Sequence, residues 1–342
     1  MPVTSTLVYR SAFWSPQQSG SFSSLNSKAE NPHITVLPEE SLAFLGVRNG
    51  GTYVDATLGA GGHAGAILAP FPDTKVIAFD RDPAAIELAS KRLANYEDRL
   101  EIVHSNFSML KSELEGLGRP AVDGIIADLG VSSMQLDDPN RGFSFKSDAP
   151  LDMRMDTADE TETAADLLER LTETEIADVI YQLGEERYSR RIARRIVAAR
   201  EAGEAVRTTG QLASLVRRSV PRRKNERVHP ATKTFQALRI KVNDELEILE
   251  RFIRDAVEVL KPSGRLVMIT FHSLEDRIVK RTFQSLAGKC FCPRGFPECA
   301  CGATEMVEII TRKPIVPSES EQHANPRSRS AKLRVCKKLD QI

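Results

Sequence analysis

The stretch TYVDATLGAGGHAG, residues 52–65, predicts a short buried strand that runs into a glycine-rich turn. Residues 52–56 alternate as a strand does, and the glycines that follow let the backbone turn tightly and approach a ligand closely. A helix N-terminus just beyond such a turn is a common binding place for nucleotide ligands. The stretch therefore predicts an α/β fold with a ligand site at the end of its first strand.

Further strands with helices between them follow this stretch. Strands are predicted at Lys75–Asp80, Leu100–Val103 and Asp123–Asp128, and a helix that Pro83 opens runs to about Asn95. Strands that alternate with helices in this way predict a parallel sheet with right-handed crossovers.

The alternation stops after the fourth strand and resumes near the C-terminus. From about residue 133 to 243 we find helical patterns and no convincing strand. Apolar spacing then predicts an amphipathic helix over Asp244–Leu260, followed by a fifth strand at Arg265–Thr270 and two candidate final strands at Met306–Arg312 and Lys332–Lys337.

We predict one doubly wound α/β domain that a helical insertion interrupts. The predicted units are a flexible, Ser-, Gln- and Asn-rich extension at residues 1–32, a Rossmann-like domain at 33–135 and 243–342, and the insertion at 136–242.

Composition excludes several classes of protein. The chain has 342 residues, of which 41% are hydrophobic and 27% charged, so it has enough apolar surface to build a core. No apolar run approaches the roughly 20 residues that span a bilayer, and the N-terminus lacks the order of a secretory signal. The odd count of five cysteines fits a reducing compartment, so we expect a cytoplasmic protein without membrane contact.

The net charge of zero hides two opposite blocks. Residues 148–178 hold 11 acidic and 2 basic residues, and residues 186–241 hold 16 basic and 4 acidic residues. Opposite blocks of this size can pair with each other, or one of them can bind a polyanion.

The glycine-rich loop is compatible with two cofactors. Asp80 ends the second strand, where a carboxylate accepts hydrogen bonds from both hydroxyls of a ribose. Gly59, Gly61 and Ala64 with this aspartate also satisfy the loose dinucleotide fingerprint, so NAD remains an alternative. Asp55 favours S-adenosylmethionine, because a carboxylate there suits a cationic ligand and repels a pyrophosphate.

Six blocks of sequence carry a close resemblance to a known family. Over about residues 33–338 the chain resembles the RsmH (MraW) family of bacterial ribosomal RNA cytidine methyltransferases. The blocks are Asp128–Phe145, Pro150–Asp156, Gly184–Arg195, His229–Ile240, Phe271–Lys280 and Asn325–Arg334.

The resemblance implies a fold, a reaction and a partner. The fold is a Rossmann-like class I S-adenosylmethionine-dependent methyltransferase sheet. The reaction is methylation of the N4 amine of a cytidine in 16S rRNA near the decoding site, and the partner is the small ribosomal subunit. Cofactor contacts are implied at Gly61, Gly62, His63, Asp80, Phe107, Asp128 and Gln135.

The chemistry calls for a proton acceptor near the target amine. A cytosine amine is a poor nucleophile because its lone pair is delocalised into the ring, and an acceptor helps to localise it. We predict Asp128 in this role, with Asp152 and Asp156 as weaker candidates on a loop that could close over the base. The reaction requires no metal.

The target base must leave its stack, which calls for a basic track along the RNA backbone. The insertion at 136–242 is the predicted RNA-substrate domain. Its basic residues form two clusters, one of Arg187, Arg190, Arg191, Arg194 and Arg195, the other of Arg217, Arg218, Arg222, Arg223 and Lys224. A solvated charged face is the alternative interpretation of either cluster.

Four cysteines lie within twelve residues, at Cys290, Cys292, Cys299 and Cys301. Their thiolates could hold a tetrahedral zinc ion, and reduced surface thiols are the alternative. Cys336 lies in the last strand pattern and is predicted to be a core residue.

Two functional alternatives remain besides the NAD enzyme. One is a non-catalytic RNA-binding or ribosome-assembly factor that retains the cofactor pocket. The other is a DNA amine methyltransferase, which typically carries a Pro-Pro-aromatic element after the fourth strand. This chain has Leu-Gly-Val-Ser-Ser at 129–133, so we expect no DNA substrate.

Overall fold

The fold was analysed in a computed structural model. It describes residues 34–157, 161–221, 229–292, 295, 303 and 305–340. The predicted extension at 1–32 lies outside the described residues.

A seven-stranded sheet forms the centre of the described chain. Its strands are β1 (Thr52–Asp55), β2 (Lys75–Asp80), β3 (Leu100–His104), β4 (Val122–Asp128), β5 (Leu260–Thr270), β6 (Val307–Ile309) and β7 (Lys332–Lys338). The spatial order is β3-β2-β1-β4-β5-β7-β6, and β7 is antiparallel to both of its neighbours. The prediction of a Rossmann-like, class I methyltransferase sheet is confirmed.

Helices cover both faces of the sheet. They are α1 (Pro38–Leu45), α2 (Gly62–Leu68), α3 (Pro83–Arg92), α4 (Leu110–Gly116), α11 (Leu249–Val259) and α12 (Ser273–Leu286), and a short α13 (Glu319–Ala324) precedes β7. Neighbouring strand residues enter different cores, because side chains alternate across a strand. Val54 and Ile125 pack in one core, and Tyr53 and Ile126 pack in the other.

The region between β4 and β5 carries helices joined by loops and no named strand among its described residues. It contains α5 (Ser133–Asp137), α6 (Ala164–Arg170), α7 (Glu173–Gly184), α8 (Ser189–Glu201), α9 (Thr209–Ser219) and α10 (Thr232–Asn243). Several of these helices share a third apolar core, with Ile176, Ile192 and Leu212 fully buried in it. The role of residues 136–242 as a substrate domain stays a prediction.

Several predicted boundaries were wrong. The amphipathic helix begins at Leu249 instead of Asp244, because Asp244 adopts a left-handed conformation with φ +49° that ends α10. Strand β5 begins at Leu260 instead of Arg265, because an irregularity opposite Val122 and Gly124 accommodates the Pro-Ser-Gly segment within the strand. Strand β6 is shorter than predicted and covers Val307–Ile309 only.

No described helix is both long enough and apolar enough to cross a bilayer.

Candidate functional site

The loop after β1 is tied to the ends of β2 and β4. Gly59, with φ +50°, donates its backbone N–H to Asp80 Oδ2 at 2.7 Å. The backbone N–H of Asp128 donates to Thr57 Oγ1 at 2.7 Å. These bonds bring three strand ends together at the carboxyl edge of the sheet, where the strand order reverses and α/β folds bind ligands.

The next two glycines are required by close packing. A Cβ on Gly61, which has φ +78°, would lie 2.8 Å from Leu93 Cδ1, and one on Gly62 would lie 1.9 Å from Thr35 Oγ1. Gly62 lines the adjoining cavity, whereas Gly61 faces Leu93 and is not among the lining residues. The cofactor contact predicted at Gly61 stays a prediction.

A cavity of about 450 Å³ opens at this edge, a volume typical of small-molecule sites. Most of the residues that were predicted to contact the cofactor line this cavity, although they lie far apart along the chain. The predicted residues in its wall are Gly62, His63, Asp80, Phe107, Asp128 and Gln135.

Asp128, His63 and Asp55 form a buried charged group. His63 Nε2 lies 3.6 Å from Asp128 Oδ2, and neither ring nitrogen has a hydrogen-bond partner among the described residues. Asp128 Oδ1 is likewise buried and unpartnered in the described part of the chain. Burial alone would lower the pKa of His63, but the carboxylates of Asp128 and Asp55 raise it above its ordinary value.

Asp55 lies beneath the loop and is not among the cavity-lining residues. Its Oδ1 accepts from the backbone N–H of Thr57 at 3.2 Å, and its Oδ2 has no partner among the described residues. Burial raises the pKa of this carboxyl to about 6, although His63 and the Thr57 N–H oppose the shift.

Asp80 is positioned by backbone donors on both oxygens. Besides the bond from Gly59, its Oδ1 accepts from the N–H of Asp82 at 2.9 Å. Burial raises the pKa of Asp80 above its ordinary value, and the two N–H groups oppose that shift. A fixed carboxylate in the cavity wall is suited to accept from a ligand diol.

Phe107 and Gln135 complete the predicted set. The Phe107 ring packs against Phe252, with ring centroids 4.8 Å apart, and its exposed part lines the cavity. Gln135 lies in the capping box that begins α5, and its Nε2 donates to Asp82 Oδ2 at 2.8 Å.

Sequence reasoning missed Asp82 and Arg141, which support this wall from behind. Asp82 is 1% exposed and accepts from Gln135 and, at 2.9 Å, from Arg141 Nη1. The only signal for Asp82 is its place before Pro83, as the residue that caps α3. No local pattern links Arg141 to Asp82.

The loop 151–156, which was predicted to be able to close over the base, is held in place. Arg141 Nη2 donates to the carbonyls of Arg154 and Met155, and Asn243 Nδ2 donates to that of Met153 at 2.7 Å. Met155 lines the cavity, whereas Asp152 and Asp156 do not. Asp152 pairs with Arg154 at 2.9 Å.

A second charged group, of Arg239, Glu245 and Glu275, also lines the cavity and was not predicted. These residues come from the end of α10, the turn after it and the start of α12. Their separation along the chain leaves no motif by which sequence reasoning could find them.

The basic residues predicted on the helical region lie on its surface. Arg187, Arg190, Arg191, Arg194 and Arg195 of the first cluster are all exposed, as are Arg217 and Arg218 of the second. Arg194 lies 3.7 Å from Glu173 of the acidic block, so the opposite blocks pair in part. Arg222, Arg223 and Lys224 lie outside the described residues.

The cysteine prediction is only partly covered by the structure. Cys299 and Cys301 lie outside the described residues, so the zinc site stays a prediction. Cys336 is fully buried, as predicted, and its burial raises the pKa of the thiol.

Comparison with known proteins identifies close relatives. The model of the MraW methylase family matches residues 30–339. Ribosomal RNA small subunit methyltransferase H of Geobacter sulfurreducens is 52% identical over 309 residues, covering 90% of this chain and 99% of that protein. The protein of the same name from Brevibacillus brevis is 49% identical and covers 90% of this chain and 98% of its own length.

Among solved structures, a putative rRNA methylase from Clostridium thermocellum aligns with 90% of this chain and 99% of its own, with 11% identity and a TM-score of 0.41. A similarity this low carries no functional argument.

Proposed function

Because the chain belongs to the MraW methylase family, we propose that it methylates the N4 amine of a cytidine in 16S rRNA of the small ribosomal subunit, near the decoding site, with S-adenosylmethionine as methyl donor. Its relatives are ribosomal RNA small subunit methyltransferases by name, which supports the substrate class. The observation that carries the proposal is the carboxylate of Asp128, which lines the same cavity as Asp80 and whose Oδ1 has no hydrogen-bond partner among the described residues.

The described residues fit the methyl donor. Asp80 would accept hydrogen bonds from the ribose hydroxyls, and Phe107 would lie against the adenine ring. The backbone at Gly59 leaves space, since a Cβ there would meet no described heavy atom closer than 3.9 Å. The donor supplies an activated methyl group on a positively charged sulfur, which the carboxylates of Asp55 and Asp128 complement.

Asp128 acts on the amine. Its carboxylate accepts a hydrogen bond from N4, which localises the nitrogen lone pair. The nitrogen forms a bond to the methyl carbon as the carbon–sulfur bond breaks, and Asp128 takes the proton that nitrogen releases. His63, 3.6 Å from Oδ2, stabilises the carboxylate before transfer. The remaining wall aligns the reacting atoms and excludes water.

The exposed arginines of α8 hold the RNA backbone while the base enters the cavity. In this arrangement the helical region 136–242 is the substrate domain, and the sheet carries the cofactor.

The test is single-turnover kinetics with saturating S-adenosylmethionine on small subunits from a strain that lacks the modification. Asp128→Asn is expected to lower the rate about 10²- to 10⁴-fold, the usual contribution of a positioned acid or base. Asp98→Asn, a change at an exposed aspartate, is the matched control and keeps the wild-type rate.

Three outcomes would contradict parts of the proposal. Wild-type rates for Asp128→Asn would remove its acceptor role. If the modified nucleotide maps to any base other than a cytidine methylated at N4, the proposed target is wrong. Subunits that the wild type binds without methylating would favour the alternative of a non-catalytic assembly factor.

A further inference from the structure

The charged group at the end of α10 has no part in the proposed transfer, although it lines the same cavity. Arg239 lies in the C-terminal half of α10, and Glu245 follows it by six residues. The side chains of Arg239 and Glu245 are only 15% and 10% exposed. Two charges withdrawn from water in a cavity wall cost free energy unless they are paired with good geometry.

Glu245 holds the Arg239 guanidinium in a two-pronged ion pair. Nε donates to Oε1 and Nη2 donates to Oε2, both at 2.9 Å. The third nitrogen, Nη1, makes no hydrogen bond within the described part of the chain. A guanidinium fixed in this way presents its remaining N–H donors in a fixed direction.

Glu275 supplies a second negative charge to the group. It is 2% exposed, and its Oε2 accepts from the backbone N–H of Phe271 at 2.8 Å. Burial alone would raise the pKa of Glu275, but His272 and Arg239 hold it below its ordinary value. The site therefore keeps the Arg239 cation in a cavity whose wall also holds an acceptor, the carboxylate of Asp128.

One acceptor and one fixed donor in a single cavity match one edge of cytosine. Its N4 amine donates, and its neighbouring N3 and O2 accept. We propose that Arg239, oriented by Glu245, reads the target base by donating through Nη1 to N3 and O2 while Asp128 accepts from N4. This assignment rests on the proposed function. Uracil would direct its O4 at Asp128 and its N3–H at Arg239, so both contacts disfavour uridine.

The first experiment measures single-turnover methylation of unmodified small subunits and, by calorimetry, binding of S-adenosylhomocysteine. The variants are Arg239→Lys, which keeps the charge, and Arg239→Gln with Glu245→Gln, which removes both members of the ion pair. Both are expected to lose about 10- to 100-fold in rate, the usual value of a specific base contact. Affinity for S-adenosylhomocysteine stays within about twofold of wild type. Arg251→Gln, at an exposed arginine of α11, is the control.

Two results of this experiment would overturn the assignment. One is an unchanged rate in both variants. The other is a loss of S-adenosylhomocysteine affinity as large as the loss of rate, which would place Arg239 at the cofactor.

The second experiment separates a base contact from a structural role and needs no methyl transfer. Binding of cytidine 5′-monophosphate and of its 3-deaza analogue, which lacks the N3 acceptor, is measured with S-adenosylhomocysteine present. The wild type is expected to prefer cytidine 5′-monophosphate several-fold, and the variants are expected to lose that preference. If the wild type fails to methylate subunits, the proposed function fails, and this assay still decides the base site. Equal binding of both nucleotides by the wild type, or binding of neither, would refute it.

Discussion

Asp55 carries a buried carboxyl beside the site. It is 1% exposed and has one unpartnered oxygen among the described residues, and burial raises the pKa of its carboxyl to about 6. A carboxyl whose pKa is raised on folding stabilises the fold below its unfolded pKa, and this contribution is lost as the pH rises through about 6. Asp55 therefore contributes less to the stability of the fold at neutral pH, where its carboxyl is charged, than at acidic pH.

Asp55→Asn is therefore expected to stabilise the ligand-free protein at pH 7.5. A shift of two pKa units corresponds to about 3 kcal/mol, and we expect a gain of about 1–3 kcal/mol in the free energy of unfolding. The gain should shrink as the pH falls from about 6 towards 4, where the wild-type carboxyl becomes neutral. Urea unfolding of the variant and of the wild type across this pH range measures the gain in the free energy of unfolding.

Asp98→Asn, which changes an exposed carboxylate, serves as the control for that series. A variant at Asp55 that is less stable than wild type at pH 7.5 would contradict the prediction. The same variant should bind S-adenosylmethionine more weakly, since it has lost a negative charge near the cation.

At the scale of elements, the segment from Arg141 to Met155 forms part of the cavity wall because it is anchored at both ends. Arg141 donates to two of its carbonyls and to Asp82. Asn243 Oδ1 accepts from the N–H of Met155 at 2.9 Å, which fastens the segment to α10. Met153, with φ +65°, shows that the backbone is strained to keep this path.

Gly142→Ala tests this packing. Gly142 has φ +71°, and a Cβ there would lie 2.5 Å from the carbonyl oxygen of Pro150 and 2.6 Å from the backbone nitrogen of Asp152. We expect a loss of about 2–5 kcal/mol in the free energy of unfolding, from the left-handed backbone and the backbone clash together. The rate of methylation should fall as well, because the same segment carries Met155, which lines the cavity.

Gly203→Ala is the matched control, since Gly203 has φ +80° but a Cβ there would meet no described atom within 4 Å. It should lose only about 1–2 kcal/mol, the cost of the left-handed conformation alone. Equal losses in the two variants, measured by urea unfolding, would show that the close approach at Gly142 does not matter.

At the scale of the whole molecule, a chain of zero net charge still exposes a group of basic residues on α8. Only part of the basic block is neutralised by the acidic one, through pairs such as Arg194 with Glu173 and Arg207 with Glu169. The other exposed arginines of α8, Arg190, Arg191 and Arg195, remain available for a polyanion, which supports the proposed RNA contact.

Substitution of Arg190, Arg191 and Arg195 by Gln is expected to weaken binding to small subunits and to flatten its salt dependence. Each lost phosphate contact lowers the slope of log K against log salt by about 0.7 to 0.9, so the three together lower it by about 2. Binding measured from low to physiological salt checks this. The control replaces Lys91, Arg251 and Lys280, which are also exposed, and leaves the slope unchanged. If the affinity of the wild type for small subunits does not depend on salt concentration, the proposal that α8 binds RNA is wrong.

The sheet could be predicted from sequence because its strands are short apolar runs separated by turn residues. The runs at 75–80 and 265–270 are examples, and the pattern failed only at their margins. Asp244 looked like the first residue of a helix, yet its left-handed backbone ends the preceding one. Such a boundary depends on where the chain must turn to pack, which local spacing does not record.

The sequence by itself determined the α/β sheet, the glycine-rich loop and the strand-end carboxylates Asp80 and Asp128, because each arises from neighbours along the chain. The tertiary structure alone decided that Asp55 lies behind the cavity wall, that Gly61 faces Leu93, and that Arg239 and Glu275 share the cavity with Asp128. Arg239 and Asp128 are more than a hundred residues apart in the chain. Only the fold brings residues of α10 and the end of β4 to a common pocket, because burial and hydrogen bonding depend on distance in space and not along the sequence.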